Sequence, residues 1–126
     1  MIISSTMGQE ELVARRDLLL KVYSAFNRRD VESILPVMHP DVEWPNGMEG
    51  GWVHGREGVR AYWARQWGLV DPHVEPVDFK TDEGGKIVVD VHQVVRDLKG
   101  TVLLDRTVQP AYLFDDGLIR SMEIRE

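Results

Sequence analysis

Residues 22–44 read VYSAFNRRDVESILPVMHPDVEW and residues 54–63 read HGREGVRAYW, and these two stretches decide the fold. Apolar side chains recur at helical spacing up to Asn27, and Asp30 then offers an N-cap for a short second helix. A proline turn precedes a brief strand that ends at Trp44. The second stretch predicts a third helix, because its apolar residues recur at i, i+3 and i+4. Two helices, a strand and a helix in this order indicate a small domain that folds around a pocket.

The rest of the chain extends this pattern outward. The predicted segments are a frayed terminus at 1–8, helices at 9–27, 30–38 and 55–67, a strand at 42–44 and a glycine-rich loop at 45–54. After Gly68 the apolar period changes from helical spacing to two, which is typical of strands. Four strands are predicted at 74–80, 86–98, 101–114 and 118–125, joined by short turns that contain glycine. The sequence therefore predicts one α+β domain over residues 9–126, with helices on one face of a curved antiparallel sheet.

Composition and charge exclude several classes of protein. The chain has 126 residues, a net charge of −6 and no cysteine. An acidic chain without a basic patch is a poor ligand for nucleic acid or an anionic membrane. Disulfides and thiolate chemistry are excluded, and no stretch approaches the ~20 apolar residues of a membrane span. With no signal peptide, nucleotide motif or metal-ligand spacing, we expect a cytoplasmic protein that uses no cofactor or metal.

The chain resembles the nuclear transport factor 2-like (NTF2-like) superfamily and, within it, the SnoaL-like proteins. Four motifs carry the resemblance: YSAFN at 23–27, HPDVEW at 39–44, GREGVRAYW at 55–63 and YLFDDGLI at 112–119. The resemblance implies a cone-shaped, cystatin-like α+β fold, in which three N-terminal helices pack on a curved antiparallel sheet and enclose a pocket. It also implies a small apolar ligand and a homodimer. The superfamily includes ketosteroid isomerases, polyketide cyclases, epoxide hydrolases and binding domains, so fold alone does not choose among them.

The residues of ketosteroid isomerases are absent in the simplest alignment. Their helix-one tyrosine falls on Val22, or on Tyr23 if the register shifts by one residue. Their general-base aspartate falls on Asn46, and their proton-donating acid falls on Pro110. Steroid isomerisation by that mechanism is therefore not expected.

The residues of limonene epoxide hydrolases are also incomplete. Their Arg-x-Asp pair falls on Asp90-Val91-His92, and their last-strand aspartate falls on Ile124. SnoaL-type cyclases use a pocket Asp or His to move a proton, and Asp90 and His92 match that chemistry in type.

Asp90 and His92 are the candidate catalytic residues. They alternate with valines and so share one face of a strand, where an Asp–His hydrogen bond would raise the histidine pKa. If Lys99-Gly100 forms a two-residue turn, Thr107 and Gln109 lie on the same face. A three-residue loop would instead bring three other side chains there: Arg106, Val108 and Tyr112. In a mostly apolar pocket the pair would act as a general base, whereas on a solvated or dimer-facing surface it would have no catalytic role.

The candidate ligand-binding residues are mainly aromatic. They are Tyr23, Trp44, Asn46, Trp63, Gln109 and Tyr112. Indoles and phenols favour a flat, apolar or aromatic ligand. Three hypotheses follow: an enzyme that moves a proton on a carbonyl or polyketide-like compound, a binding domain without chemistry, and a dimerisation module. The third would use an apolar sheet face formed by Val89, Val91, Val95, Val102, Leu104 and Val108.

Overall fold

The computed structural model describes residues 8–125. In that range the helices are α1 (Gln9–Asn27), α2 (Val31–Ile34) and α3 (Gly55–Trp67), with a 3₁₀ turn at Leu35–Val37. The strands are β1 (Met38–Pro45), β2 (Trp52–His54), β3 (Val70–Thr81), β4 (Ile87–Asp97), β5 (Val102–Asp115) and β6 (Leu118–Arg125). The α+β NTF2-like fold predicted from the sequence is confirmed. The fraying expected at residues 1–8 lies outside the described residues except for Gly8, which is the N-cap of α1.

Helix α1 begins and ends where the sequence indicates. Glu10 and Glu11 lie in its first turn, where negative charge interacts favourably with the helix dipole. Its C-terminus is fixed by Arg29, whose φ of 64° reverses the chain. Asn27 then joins α1 to β3, because its amide donates to the Val74 carbonyl at 2.8 Å and accepts from the Val74 N–H at 3.0 Å. This double contact holds the end of α1 over the sheet.

The sheet is mixed, whereas an antiparallel sheet was expected. Its strand order is β2-β1-β6-β5-β4-β3, and β1 runs parallel to β6. The other neighbouring strands are antiparallel. The parallel pair arises because β6 returns to lie between β1 and β5, a contact between distant parts of the chain that local patterns do not reveal.

Two segments near α2 differ from the prediction. The helix expected at 30–38 is a single α-helical turn followed by the 3₁₀ turn, because Pro36 cannot supply the N–H that a longer helix needs. The strand expected at 42–44 is longer, and β2 lies inside the segment expected to be a loop. Only residues 46–51 remain as the connection between β1 and β2.

The β4–β5 hairpin combines features of both alternatives drawn from the sequence. Its loop has three residues, since the Asp97 N–H donates to the Thr101 carbonyl at 2.8 Å and Gly100 takes a φ of 97°. A bulge between the pairs Arg96–Val102 and Val95–Leu104 then restores the register of a two-residue turn. His92 therefore pairs with Thr107, and Val91 pairs with Val108.

The helices cover one face of the sheet, which we call the inner face. Residues fully buried there include Leu19, Val59, Trp63, Val89, Val91 and Ile119. Val89, Val91 and Val108 therefore belong to the core of the domain, and the exposed apolar face proposed from the sequence is wrong for these three residues. Over residues 8–125, no helix is long and apolar enough to cross a membrane.

Candidate ligand pocket

A cavity lies between the two long helices and the inner face of the sheet. Its volume is about 160 Å³, close to the roughly 150 Å³ that admits a benzene ring. The buried part of its wall includes Tyr23, Trp44, Trp63, Val91, Tyr112 and Met122. The partly or fully exposed part, which we call the rim, includes Gln66, Gln93, Arg106 and Ile124. Burial therefore gives the cavity a closed floor and an open mouth.

Two tyrosines form a hydrogen-bonded pair on the floor. The hydroxyls of Tyr23 on α1 and Tyr112 on β5 are 2.6 Å apart, and their rings meet edge to face. Both side chains are almost fully buried. Since each phenol carries one proton and only one is needed for their mutual bond, the pair retains one O–H that can be donated to a ligand.

Both phenols stay protonated at neutral pH. Burial raises the pKa of Tyr23 well above its ordinary value, and the neighbouring Tyr112 raises it further. Burial also raises the pKa of Tyr112, although its hydrogen bond with Tyr23 opposes this rise. The pair therefore acts as a neutral hydrogen-bond donor and not as a base at pH 7.

We expect folding stability to fall above pH 10 because of this pair. The unfolded phenols ionise near 10 while the folded ones keep their protons, so the unfolded state loses protons first and is favoured as pH rises. Each tyrosine contributes a slope of up to about 1.4 kcal/mol per pH unit. Urea unfolding between pH 8 and 11.5 measures how the free energy of unfolding depends on pH, and the Tyr112→Phe variant is the comparison. An equally steep decline in the variant would contradict the assignment.

Aromatic rings continue the wall beside the tyrosines. Trp44 on β1 and Trp63 on α3 meet edge to face with ring centroids 5.5 Å apart, and Trp44 is 6.2 Å from the Tyr112 ring. Phe26 contacts Trp63 from α1 at 5.3 Å. These rings present flat apolar surfaces around the tyrosine hydroxyls, which suits a flat ligand with one polar atom.

Tyr62 connects the wall to the loop at residues 46–51. Its hydroxyl accepts a hydrogen bond from the Gly47 N–H at 3.0 Å, and the Gln66 amide lies 3.4 Å from it. Gly47 and Pro45 also line the cavity. This loop therefore forms one edge of the mouth.

The structure brings together four of the residues selected from the sequence. Tyr23, Trp44, Trp63 and Tyr112 all lie on the cavity wall. Tyr23 lines the cavity together with Val22, as the alignment with ketosteroid isomerases allowed when shifted by one residue. Contact with a ligand stays a prediction for all four.

Asn46 does not line the cavity. Its side-chain oxygen accepts from the N–H groups of Met48 and Glu49 at 3.1 and 2.9 Å, and its amide donates to the Glu49 carboxylate. Asn46 therefore stabilises the β1–β2 loop, while its neighbours Pro45 and Gly47 face the cavity.

Asp90, His92 and Gln109 lie on the opposite face of the sheet from the cavity. Asp90 accepts from the Gln109 amide at 2.7 Å, and His92 is 2.7 Å from Asp105 across the β4–β5 pair. The expected Asp90–His92 hydrogen bond is therefore wrong, because each side chain has a partner on β5. Successive strand residues point to opposite faces, so burial of Val89 and Val91 directs the pair outward. This placement removes the geometric basis for catalysis in the cavity by the two residues.

Sequence reasoning missed the polar residues of the rim. Gln93 and Arg106 lie opposite each other on β4 and β5, and the Arg106 Nε donates to the Gln93 side-chain Oε1 at 3.0 Å. The alternation of side chains along β5 could have identified Arg106. Arg106 and Tyr112 are an even number of residues apart, so their side chains face the same side of the sheet.

The described cavity wall carries donors but no acidic or imidazole side chain. Its polar side chains are three tyrosines, two glutamines and one arginine. Such a wall can bind and polarise a ligand oxygen, whereas a proton taken from carbon must go to solvent or to the ligand itself.

Helices packed over a curved mixed sheet around this cavity define an NTF2-like pocket protein. The chain belongs to the SnoaL-like domain family, whose sequence model matches residues 19–122. Members of that family bind small ligands. A comparison with curated proteins gives no match.

Solved structures give the same fold. TerC, co-crystallised with polyporic acid, is 31% identical over 86% of this chain and 88% of its own, with a TM-score of 0.74. An NTF2-like protein of unknown function from Burkholderia pseudomallei is 26% identical over 87% and 88%, with a TM-score of 0.75. SalBIII, an epoxide hydrolase/cyclase-like enzyme of pyran ring formation in the polyether salinomycin, is 18% identical over 94% and 92%, with a TM-score of 0.73.

Proposed function

We propose that this protein binds a flat, apolar carbonyl compound and promotes proton transfer beside its carbonyl group without a cofactor. The observation that carries the proposal is the buried Tyr23–Tyr112 pair on the floor of an aromatic cavity. A carbonyl oxygen placed at this pair receives the free phenolic proton as a hydrogen bond. The reaction type is that of an isomerase, cyclase or hydrolase of the SnoaL kind.

The proposed chemistry is electrophilic. As a proton leaves the carbon next to the carbonyl, negative charge moves to the oxygen, where the hydrogen bond from the pair is strongest. The leaving proton goes to a water molecule inside the cavity beside the ligand, and a proton from water returns to carbon to complete isomerisation or exchange. Because both phenols have a raised pKa, the pair donates without ionising at neutral pH.

The alternative is a binding domain with no chemistry. The specific observation in its favour is that the described cavity wall has no carboxylate or imidazole to accept the proton. TerC, which is 31% identical to this chain, was co-crystallised with polyporic acid. Binding and catalysis share the same pocket, so one experiment must separate them.

The test uses 2-tetralone, a flat bicyclic ketone, and tetralin, its hydrocarbon counterpart. Calorimetry and tryptophan fluorescence measure binding, and mass spectrometry in D₂O measures deuterium exchange next to the carbonyl. We expect the ketone to bind more tightly than tetralin, and Tyr112→Phe to remove about three- to tenfold of that preference. If the protein is an enzyme, exchange exceeds the buffer rate and falls about 10²-fold or more in the variant.

The outcomes distinguish the candidates. Ketone binding with exchange supports the enzyme, and ketone binding without exchange supports the binding domain. Equal affinity for ketone and hydrocarbon, unchanged by Tyr112→Phe, would refute carbonyl recognition by the tyrosine pair. Tyr62→Phe serves as a matched control, because it removes a hydroxyl that contacts the 46–51 loop and not the pair.

The homodimer implied by the family resemblance stays a prediction. The buried valines of the inner face cannot form its interface, so a dimer would have to use the other face of the sheet or its edges. Light scattering of the purified protein measures the oligomeric state directly.

A further inference from the structure

Arg106 places a positive charge at the mouth of the cavity. It extends from the inner face of β5, lines the cavity and is exposed to solvent. The protein as a whole carries a net charge of −6. The charge at the opening of the pocket is therefore positive, although the net charge of the protein is negative.

This charge has no acidic partner. Among residues 8–125, no carboxylate lies within 4.0 Å of the Arg106 guanidinium. Arg125 shows the contrast, because it contacts Asp82 at 2.8 Å and Glu123 at 3.0 Å. The part of the cavity wall formed by residues 8–125 also contains no acidic side chain that could neutralise Arg106.

Gln93 orients the guanidinium. Its side-chain Oε1 accepts from the Arg106 Nε at 3.0 Å, and the two residues pair across β4 and β5. Both terminal guanidinium nitrogens and the Gln93 amide nitrogen then remain as donors at the mouth. Two guanidinium nitrogens match the two oxygens of a carboxylate.

Arg106 and the Tyr23–Tyr112 pair lie at opposite ends of the cavity. Arg106 and Tyr112 are six residues apart on the same face of β5, which is roughly 20 Å between their Cα atoms along an extended strand. Tyr112 is buried on the floor, Arg106 is exposed at the mouth, and Val108 and Pro110 line the wall between them.

We infer that the ligand is an amphipathic organic anion, with a carbonyl on the floor and an acidic group at the mouth. This rests on the proposed function, since the carbonyl end is the one held by Tyr23 and Tyr112. The acidic group, a carboxylate or an acidic enol, pairs with Arg106 and Gln93. The apolar body between them contacts Trp44 and Trp63. The cavity thus selects acids over the corresponding neutral compounds.

The test compares acids with their methyl esters, and each acid and its ester carry the same ketone group. The probes are 4-acetylbenzoate and the longer 6-acetyl-2-naphthoate, each with its methyl ester, and calorimetry measures their affinities. We expect the better-fitting acid to bind about tenfold to a hundredfold more tightly than its ester. Arg106→Gln should reduce the acid to about the affinity of its ester and should weaken the acid far more than the ester.

Arg96→Gln is the matched control. Arg96 is an exposed arginine on the outer face of β4, so its substitution changes the net charge equally without touching the cavity. At 0.15 M salt the Debye length is about 8 Å, so a distant charge is screened. Circular dichroism verifies folding, and Arg106→Lys, which keeps the charge but loses the two-nitrogen fork, should give intermediate acid affinity.

Equal binding of acid and ester, or an acid preference that survives Arg106→Gln, would overturn the inference. The proposed function would still stand in that case if the esters and 2-tetralone bind in a Tyr112-dependent way. If no ketone binds at all, both proposals fail together. Loss of acid preference in Arg96→Gln would show a general charge effect and would also overturn the role of Arg106.

Discussion

Replacing Trp63 with alanine is expected to lower the free energy of unfolding by about 3–5 kcal/mol. Trp63 is 2% exposed and contacts Phe26, Trp44 and Trp67 with ring centroids 5.3, 5.5 and 5.8 Å apart. Removing the indole leaves a large void between α3, α1 and β1, and a packed interior refills such a void only in part. Domains of this size are stable by only about 5–15 kcal/mol, so a large share of that stability is lost.

Urea unfolding followed by far-UV circular dichroism measures the effect of Trp63→Ala. The matched control is Trp52→Ala, because Trp52 is 58% exposed on β2 and its removal should change stability by about 0.5 kcal/mol or less. Trp63→Ala should also weaken binding of 2-tetralone, since the indole forms part of the cavity wall. Similar unfolding curves for the two variants would contradict the packing described for Trp63.

The two long helices, α1 and α3, could be predicted from the sequence because their signals are local. The structure gives α1 and α3 the bounds that their apolar spacing and end residues indicated. In α3 the buried side chains are Val59, Tyr62 and Trp63, as the i, i+3, i+4 pattern requires. Helix ends depend on the nearest few residues, so one sequence contains enough information to place them.

The parallel β1–β6 pair could not be predicted in the same way. Met38 pairs with Ile119 and Glu43 pairs with Ser121, contacts between segments about eighty residues apart. Turn residues in the sequence predict antiparallel neighbours, whereas no sequence feature near β1 identifies its partner strand. The β4–β5 register was similarly hidden, because a three-residue loop and a bulge compensate each other.

The residues predicted for the site lie on opposite faces of the sheet, depending on whether their positions along the strand are odd or even. Gln109 and Tyr112 were both assigned to the pocket, yet they are three residues apart on β5 and face opposite sides. Asp90 and His92 were assigned to the pocket because catalysis was expected to need polar residues. The cavity floor is largely apolar and aromatic, so hydrophobic alternation on β4 alone gives the correct face.

Replacing Val89 with aspartate is expected to unfold the protein or to lower its free energy of unfolding by more than about 4 kcal/mol. Val89 has no exposed surface and pairs with Phe79 on β3. The substitution loses the apolar contacts of the valine and places a carboxyl group in the core without a hydrogen-bond partner. The carboxyl would be forced to take up a proton, so the remaining stability should decrease further as pH rises.

His92, three residues further along β4, gives a control for Val89→Asp. His92→Ala changes an exposed side chain on the opposite face of the same strand, where the pair with Asp105 is worth at most about 1 kcal/mol. Thermal unfolding of the two variants therefore tests directly which face of β4 is buried. A stable Val89→Asp protein beside an unstable His92→Ala protein would reverse the faces and return Asp90 and His92 to the cavity. The expected order excludes that arrangement and keeps the tyrosine pair and Arg106 as the groups that we propose meet a ligand.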